Sequence, residues 1–76
     1  MKMVDLLCDS CRQIHPLESD GSAGKNSLEV MFGSYDLQPP NPVITGFVLP
    51  TLRDNLKLFG GCSRCIESVE SAIARS

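Results

Sequence analysis

The sequence predicts one small α+β domain. Its 76 residues suffice for a single domain over 1–76. Residues 28–32 alternate in the manner of a β-strand and residues 43–49 are β-branched and apolar, whereas residues 63–75 place apolar side chains at helical spacing. Two Cys-x-x-Cys pairs lie on either side of the predicted strands. These observations predict a strand pair between two cysteine pairs and a C-terminal helix.

The aromatic content indicates that the core needs reinforcement. The chain contains no Trp, one Tyr and three Phe, and a domain of this length buries only a modest fraction of its unfolded surface. Domains of this size often gain stability from a disulfide, a metal or a partner. Because 42% of the residues are hydrophobic, the chain is expected to be ordered.

The central part of the chain predicts a β-hairpin with loops. Residues 19–27 are mostly small or polar and predict a flexible loop. Residues 28–32 alternate like a strand, and residues 43–49 are β-branched and apolar. A second loop is predicted near 36–42, because the prolines there lack the N–H that a sheet requires.

The segment 51–59 fits two structures. Leu56 and Leu58 alternate with a polar residue and favour a short strand over 55–59. The alternative is a helix capped by Thr51, because three apolar side chains also have helical spacing: Leu52, Leu56 and Phe59.

Residues 63–75 predict an amphipathic helix. Its apolar stripe contains Cys65, Ile66, Val69, Ala72 and Ile73. We expect Ile66, Val69 and Ile73 to pack against the hairpin. Glu67 and Glu70 lie off this stripe and are expected on the solvated face.

The two cysteine pairs predict a metal site. Cys8 and Cys11 form the first pair, and Cys62 and Cys65 form the second. Four thiolates are the closed tetrahedral ligand set of structural zinc. The Gly60-Gly61 dipeptide permits a tight turn before the second pair, and the helix N-terminus there stabilises thiolates. One structural Zn²⁺ is therefore predicted, with iron and a redox-active dithiol as alternatives.

The predicted order of a knuckle, a β-hairpin and a second knuckle that opens a helix resembles the treble-clef zinc finger. The chain is also similar to small uncharacterised bacterial and phage proteins that carry a Phe-Gly strand end between two cysteine pairs, as in Phe32-Gly33-Ser34. Treble clefs serve as nucleases, ribosomal parts, transcription factors and adaptors, so the resemblance does not name a function.

The other polar and aromatic residues considered are given structural roles. His15 is the chain's single histidine, and it is expected to lie outside the metal shell because four cysteines already complete it. Asp9 is expected to accept a backbone N–H in the first knuckle. The aromatic side chains expected in or near the core are Tyr35, Phe47 and Phe59; any that is exposed would be an interface anchor.

Composition and motifs favour a non-enzymatic, cytoplasmic protein-binding module. A closed four-cysteine shell leaves no position for a catalytic water, and the deaminase His-x-Glu motif is missing. The formal charge of −2 becomes −4 when four thiolates bind one Zn²⁺, and an acidic surface repels phosphates. No membrane contact is expected. We predict a regulatory or accessory factor of a larger complex, by analogy with phage and bacterial factors that act on transcription machinery. The alternative, a nucleic-acid-binding zinc finger, requires five basic side chains on one face: Lys25, Arg53, Lys57, Arg64 and Arg75.

Overall fold

A computed structural model describes residues 2–36 and 42–75 of the chain. The elements are a 3₁₀ turn at Met3–Leu6 and four α-helices: α1 at Asp9–Arg12, α2 at Leu28–Phe32, α3 at Pro42–Leu58 and α4 at Ser63–Arg75. α3 packs mainly against α4, and the 3₁₀ turn contacts both α2 and α4. The described part of the domain is therefore a small, mostly helical fold.

The predicted β-hairpin is not found in the described residues. Strand-like pairing there consists of two isolated antiparallel bridges, Lys2 with Asp36 and Leu17 with Ala23. The α+β class, and with it the hairpin of the treble-clef arrangement, is therefore corrected to a mostly helical domain. The predicted loop near 36–42 lies largely outside the described residues.

The predicted strand at 28–32 is wrong, and the segment forms α2. The Ser27 hydroxyl accepts a hydrogen bond from the N–H of Val30 at 3.4 Å, and this bond caps the N-terminus of α2. Leu28 and Phe32, one helical turn apart, are buried, whereas Val30 between them is 64% exposed. The serine cap and the four-residue spacing were the sequence signals that the alternation obscured.

The predicted strands at 43–49 and 55–59 are also wrong, because residues 43–49 and 55–58 belong to α3 and Phe59 lies in the turn that follows. Pro42 occupies the first helical position, where its missing N–H costs nothing. The side chains that enter the core are Leu49, Leu52 and Leu56. Leu52 and Leu56 have the helical spacing that was the alternative for residues 51–59, but Thr51 lies inside the helix and does not cap it.

Pro50 lies inside α3, although it cannot donate an N–H to the carbonyl of Gly46. An interior proline costs about 3 kcal/mol, and burying a leucine side chain contributes roughly 1.5–3 kcal/mol. Three fully buried leucines, Leu49, Leu52 and Leu56, therefore offset that cost. Next to the proline, the Thr51 hydroxyl donates to the Phe47 carbonyl at 2.6 Å.

The C-terminal helix is confirmed at Ser63–Arg75. Val69 is fully buried, Ile66 and Ile73 are partly buried against the core, and Glu67 and Glu70 are exposed. The predicted helical phase is therefore correct, but this face packs against α3 instead of a hairpin.

The aromatic side chains divide between the core and the surface. Phe32 is buried and Phe59 is partly buried, whereas Phe47 is 75% exposed and Tyr35 lies at the surface. The expectation of a core or near-core position is therefore wrong for Phe47 and Tyr35. None of the helices in the described part of the chain has the length and apolar character that crossing a bilayer requires.

Residues 19–27 contain turns and end at Ser27, the residue that caps α2. The N–H of Glu18 donates to the Ser22 carbonyl at 2.8 Å, and the Asp20 carboxylate accepts from the N–H and hydroxyl of Ser22. Gly21, in the turn, has a φ of 87°, a conformation that favours glycine. The flexibility expected of this loop stays a prediction.

Candidate metal centre

The first cysteine knuckle (residues 8–11) forms where α1 begins. Cys8 caps this helix, and its carbonyl accepts the N–H of Arg12 at 3.0 Å. The Arg12 side chain turns back and donates from Nε to the Leu7 carbonyl at 3.2 Å. This local fold leaves Cys8 exposed and places Cys11 in the core.

The second cysteine knuckle (residues 62–65) follows the end of α3. Gly60 has a φ of 85°, and the N–H of Gly61 donates to the Leu56 carbonyl at 2.7 Å. This is the Schellman arrangement that ends a helix, and the positive φ explains the glycine. The chain then turns into α4, where Cys65 is buried and Cys62 stays exposed.

The four cysteine sulfurs form one cluster. All lie within 4.8 Å of one another. The Sγ of Cys62 lies 3.2 Å from that of Cys65, 3.7 Å from that of Cys11 and 4.0 Å from that of Cys8. Tetrahedral ligands at the usual Zn–S distance of about 2.3 Å are separated by about 3.8 Å. The cluster therefore has the size that a metal ion with four thiolate ligands requires.

Each knuckle also donates a backbone N–H to the buried sulfur of the other. The N–H of Cys8 points to the Sγ of Cys65 at 3.2 Å, and the N–H of Cys62 points to the Sγ of Cys11 at 3.4 Å. A donated N–H stabilises a sulfur that carries negative charge. These reciprocal bonds bring the two ends of the chain together, and nothing in the cysteine spacing indicated them.

The surroundings give the four thiols of the metal-free site unequal acidities. The backbone N–H of Cys65 is the main cause that lowers the pKa of Cys62 to about 7, and the backbone N–H of Cys11 likewise lowers the pKa of Cys8. Burial raises the pKa of Cys65 to about 12 and also raises the pKa of Cys11. A bound cation would supply the positive charge that the two buried sulfurs need to deprotonate.

The four cysteines that the sequence predicts as ligands lie together in this cluster. Among the described residues, the grouping of metal-ligating side chains contains Cys8, Cys11, Cys62 and Cys65. His15 is exposed and lies outside this grouping, and Asp9 is exposed in the first turn of α1. The structure thus places four cysteines where they can bind one metal ion, plausibly zinc.

Comparisons with protein-family models, with curated proteins and with solved structures find no match for this chain. The resemblance to treble-clef fingers therefore stays with the two cysteine pairs and the helix that follows the second pair. Any function has to be argued from the chain's own site and surface.

Proposed function

We propose that this chain is a small, non-enzymatic, cytoplasmic zinc module that binds another protein as a regulatory or accessory factor. The observation that carries the zinc assignment is the cluster of four cysteine sulfurs within 4.8 Å of one another. Cysteine thiolates are soft ligands that select zinc over the hard cations Mg²⁺ and Ca²⁺. Within the proposal, the ion is structural and joins the N-terminal segment to α4.

The non-enzymatic part of the proposal follows from the number of ligands. A catalytic zinc keeps a position for water or substrate and is usually held by three protein side chains. Here the four cysteine sulfurs would fill all four tetrahedral positions around the ion, and two of these sulfurs are buried. The ion would therefore have no place for a substrate.

An exposed apolar pair on α3 supports a protein partner. Phe47 is 75% exposed and Leu58 is 76% exposed. They lie about three helical turns apart, so both project from the same side of α3, opposite the side that enters the core. Exposed aromatic side chains such as Phe47 are enriched in protein interfaces, and Leu58 extends the apolar surface on the same side of the helix. We name Phe47 and Leu58 the α3 apolar pair.

Ion pairs on the same helix weigh against the nucleic-acid alternative. Arg53 contacts Asp54 at 3.4 Å, and Lys57 contacts Glu70 of α4 at 3.1 Å. Two of the five basic side chains that a phosphate-binding face would need therefore lie beside carboxylates. The charge of −4 expected for the zinc-loaded chain adds repulsion to this.

The metal part of the proposal is tested by elemental analysis of the purified chain. We expect one equivalent of zinc per chain. A content well below one equivalent, or iron in its place, would contradict the assignment.

The partner part is tested by affinity capture from the native host followed by mass spectrometry. We expect the zinc-loaded chain to enrich a protein, and Phe47→Ser or Leu58→Ser to lose that protein while zinc content is unchanged. Val30→Ser is the matched control, because Val30 is an exposed apolar residue on a different helix. Loss of capture in the control but not in the pair variants would show that the wrong surface was chosen.

The nucleic-acid alternative is tested by titration with labelled DNA and RNA at about 50 mM salt, where electrostatic attraction is strongest. We expect no tight binding. Submicromolar affinity that weakens steeply with added salt would make the nucleic-acid function the better one.

A further inference from the structure

The four sulfurs of the cluster are not equivalent. Cys62 is exposed, and its Sγ lies within 4.0 Å of each of the other three sulfurs. Cys11 and Cys65 are buried. Cys62 is thus reachable from solvent and is also surrounded by sulfur neighbours.

The other exposed sulfur is that of Cys8, which lies within 4.8 Å of the other three sulfurs and 4.0 Å from the Sγ of Cys62. The Sγ of Cys62 has its nearest sulfur neighbour within its own knuckle, the Sγ of Cys65 at 3.2 Å. An oxidised Cys62 therefore has a second thiolate at hand within its own knuckle, which is what a sulfur needs to proceed to a disulfide.

We propose that Cys62 is an oxidation site for hydrogen peroxide, and that the resulting Cys62–Cys65 disulfide expels the bound zinc. The inference rests on the proposed zinc site and adds a regulation to it. It depends on exposure and on sulfur–sulfur distances, and it assigns the two knuckles different roles: the second is oxidised and the first is released.

The reaction proceeds in two steps. The Cys62 thiolate attacks the peroxide, so that an S–O bond forms, the O–O bond breaks and hydroxide leaves, which gives a sulfenic acid. The Cys65 thiolate then attacks the Cys62 sulfur, so that an S–S bond forms and a second hydroxide leaves. The two sulfurs lose two electrons and the peroxide gains them, two protons convert the hydroxides to water, and zinc departs as Zn²⁺.

Loss of the ion frees the first knuckle from the second. After the disulfide forms, Cys8 and Cys11 remain as two thiolates, too few for a closed zinc shell. α4 keeps its packing against α3, whereas α1, with four residues, is too short to be stable alone. A thiol reductant would reverse the disulfide and let zinc rebind.

The test uses the full zinc-loaded chain, hydrogen peroxide and a chromogenic zinc chelator. We expect one zinc ion released per disulfide formed, peptide mapping that finds the Cys62–Cys65 disulfide, and recovery of zinc binding after dithiothreitol. Zinc that stays bound while the exposed Met31 becomes oxidised would overturn the inference, and so would a first disulfide within the Cys8–Cys11 knuckle. A chain that never binds zinc would instead refute the proposed function.

Two histidine variants separate the knuckles, because imidazole is a zinc ligand that cannot form a disulfide. We expect Cys62→His to slow peroxide-driven zinc release by about tenfold or more, since the attacking thiolate is gone. Cys8→His keeps the Cys62 thiolate and should still form the Cys62–Cys65 disulfide as it releases zinc. Equal slowing in both variants would contradict the assigned roles. If Cys62→His does not load zinc, the disulfide map of the unmodified chain decides the question alone.

Discussion

The first cysteine knuckle stands on a helix of four residues, whereas the second begins a helix of 13 residues that packs along α3. Both knuckles provide one exposed and one buried cysteine, and each donates an N–H to the buried sulfur of the other. The ligands are therefore matched, but the scaffolds that hold them are not. A metal ion bound by these four cysteines, as we propose, would tie a weakly supported segment to a well-supported one.

The segment around the first knuckle does have some support of its own. Met3 and Val4 are buried, and the N–H of Met3 donates to the Tyr35 carbonyl at 2.9 Å. Arg12 pairs with the Asp5 carboxylate at 3.5 Å, a partly exposed contact of the kind that contributes little. α1 itself is much shorter than a helix that is stable alone.

Removal of zinc should cause the largest loss of structure, and the two knuckles should be affected unequally. Structural zinc contributes folding free energy on the order of 10 kcal/mol or more. We expect a strong chelator to reduce the helical circular dichroism, and hydrogen exchange to show amides of α1 losing protection before those of α3 and α4. An unchanged spectrum after chelation would refute the structural role, and earlier loss in α4 would reverse the comparison.

Replacing a buried ligand should have the second-largest effect on zinc binding and folding. Cys65→Ser should abolish tight zinc binding and unfold the domain, because serine is a poor zinc ligand and the residue lies in the core. His15→Ala is the control and should keep one zinc per chain, because His15 is exposed outside the cluster. Zinc content and circular dichroism of the two variants check this. Loss of metal from His15→Ala would mean that the ligand set is misassigned.

Lowering the pH should release the ion. In the metal-free site the pKa of Cys62 is about 7 and burial raises that of Cys65 to about 12, so at acidic pH every ligand must lose a proton before it binds zinc. Up to four protons then compete with the ion, and the apparent affinity should fall by up to about 10⁴-fold per pH unit below pH 7. A zinc-affinity titration from pH 5 to pH 8 measures this slope. An affinity independent of pH would contradict thiolate ligation.

A core substitution beside the second knuckle should have a smaller effect. Leu56 is fully buried and precedes the turn that leads to Cys62, so Leu56→Ala should lower the free energy of unfolding by about 2–5 kcal/mol. Leu58→Ala is the matched control, because Leu58 is 76% exposed on the same helix. Its effect should stay within about 0.5 kcal/mol. Denaturant unfolding of both zinc-loaded variants distinguishes them, and equal losses would contradict the core assignment.

Whether a sequence signal is local explains which parts of the structure the sequence could predict. The four cysteines and α4 were found because their signals are local: two Cys-x-x-Cys pairs, and an apolar stripe with a strong helical period over 63–75. α2 and α3 were missed because short apolar runs fit both periods, and tertiary packing decides between them. The serine cap of α2 and the i, i+3, i+7 leucines of α3 were the better signals.

Pro50 shows the limit of local rules most clearly. A proline is expected to end or kink a helix because it lacks an N–H, yet α3 continues through Pro50. Three buried leucines on one side of the helix compensate for the lost backbone hydrogen bond, and that compensation depends on contacts with α4 that no window of neighbouring residues contains.

X-ray absorption at the zinc edge of the purified chain tests most directly whether both knuckles hold one ion. The four-sulfur cluster predicts a first shell of four sulfur atoms at about 2.3 Å, with no nitrogen or oxygen ligand. A shell of two sulfurs completed by lighter atoms would show that one knuckle alone binds the metal, and would contradict the account.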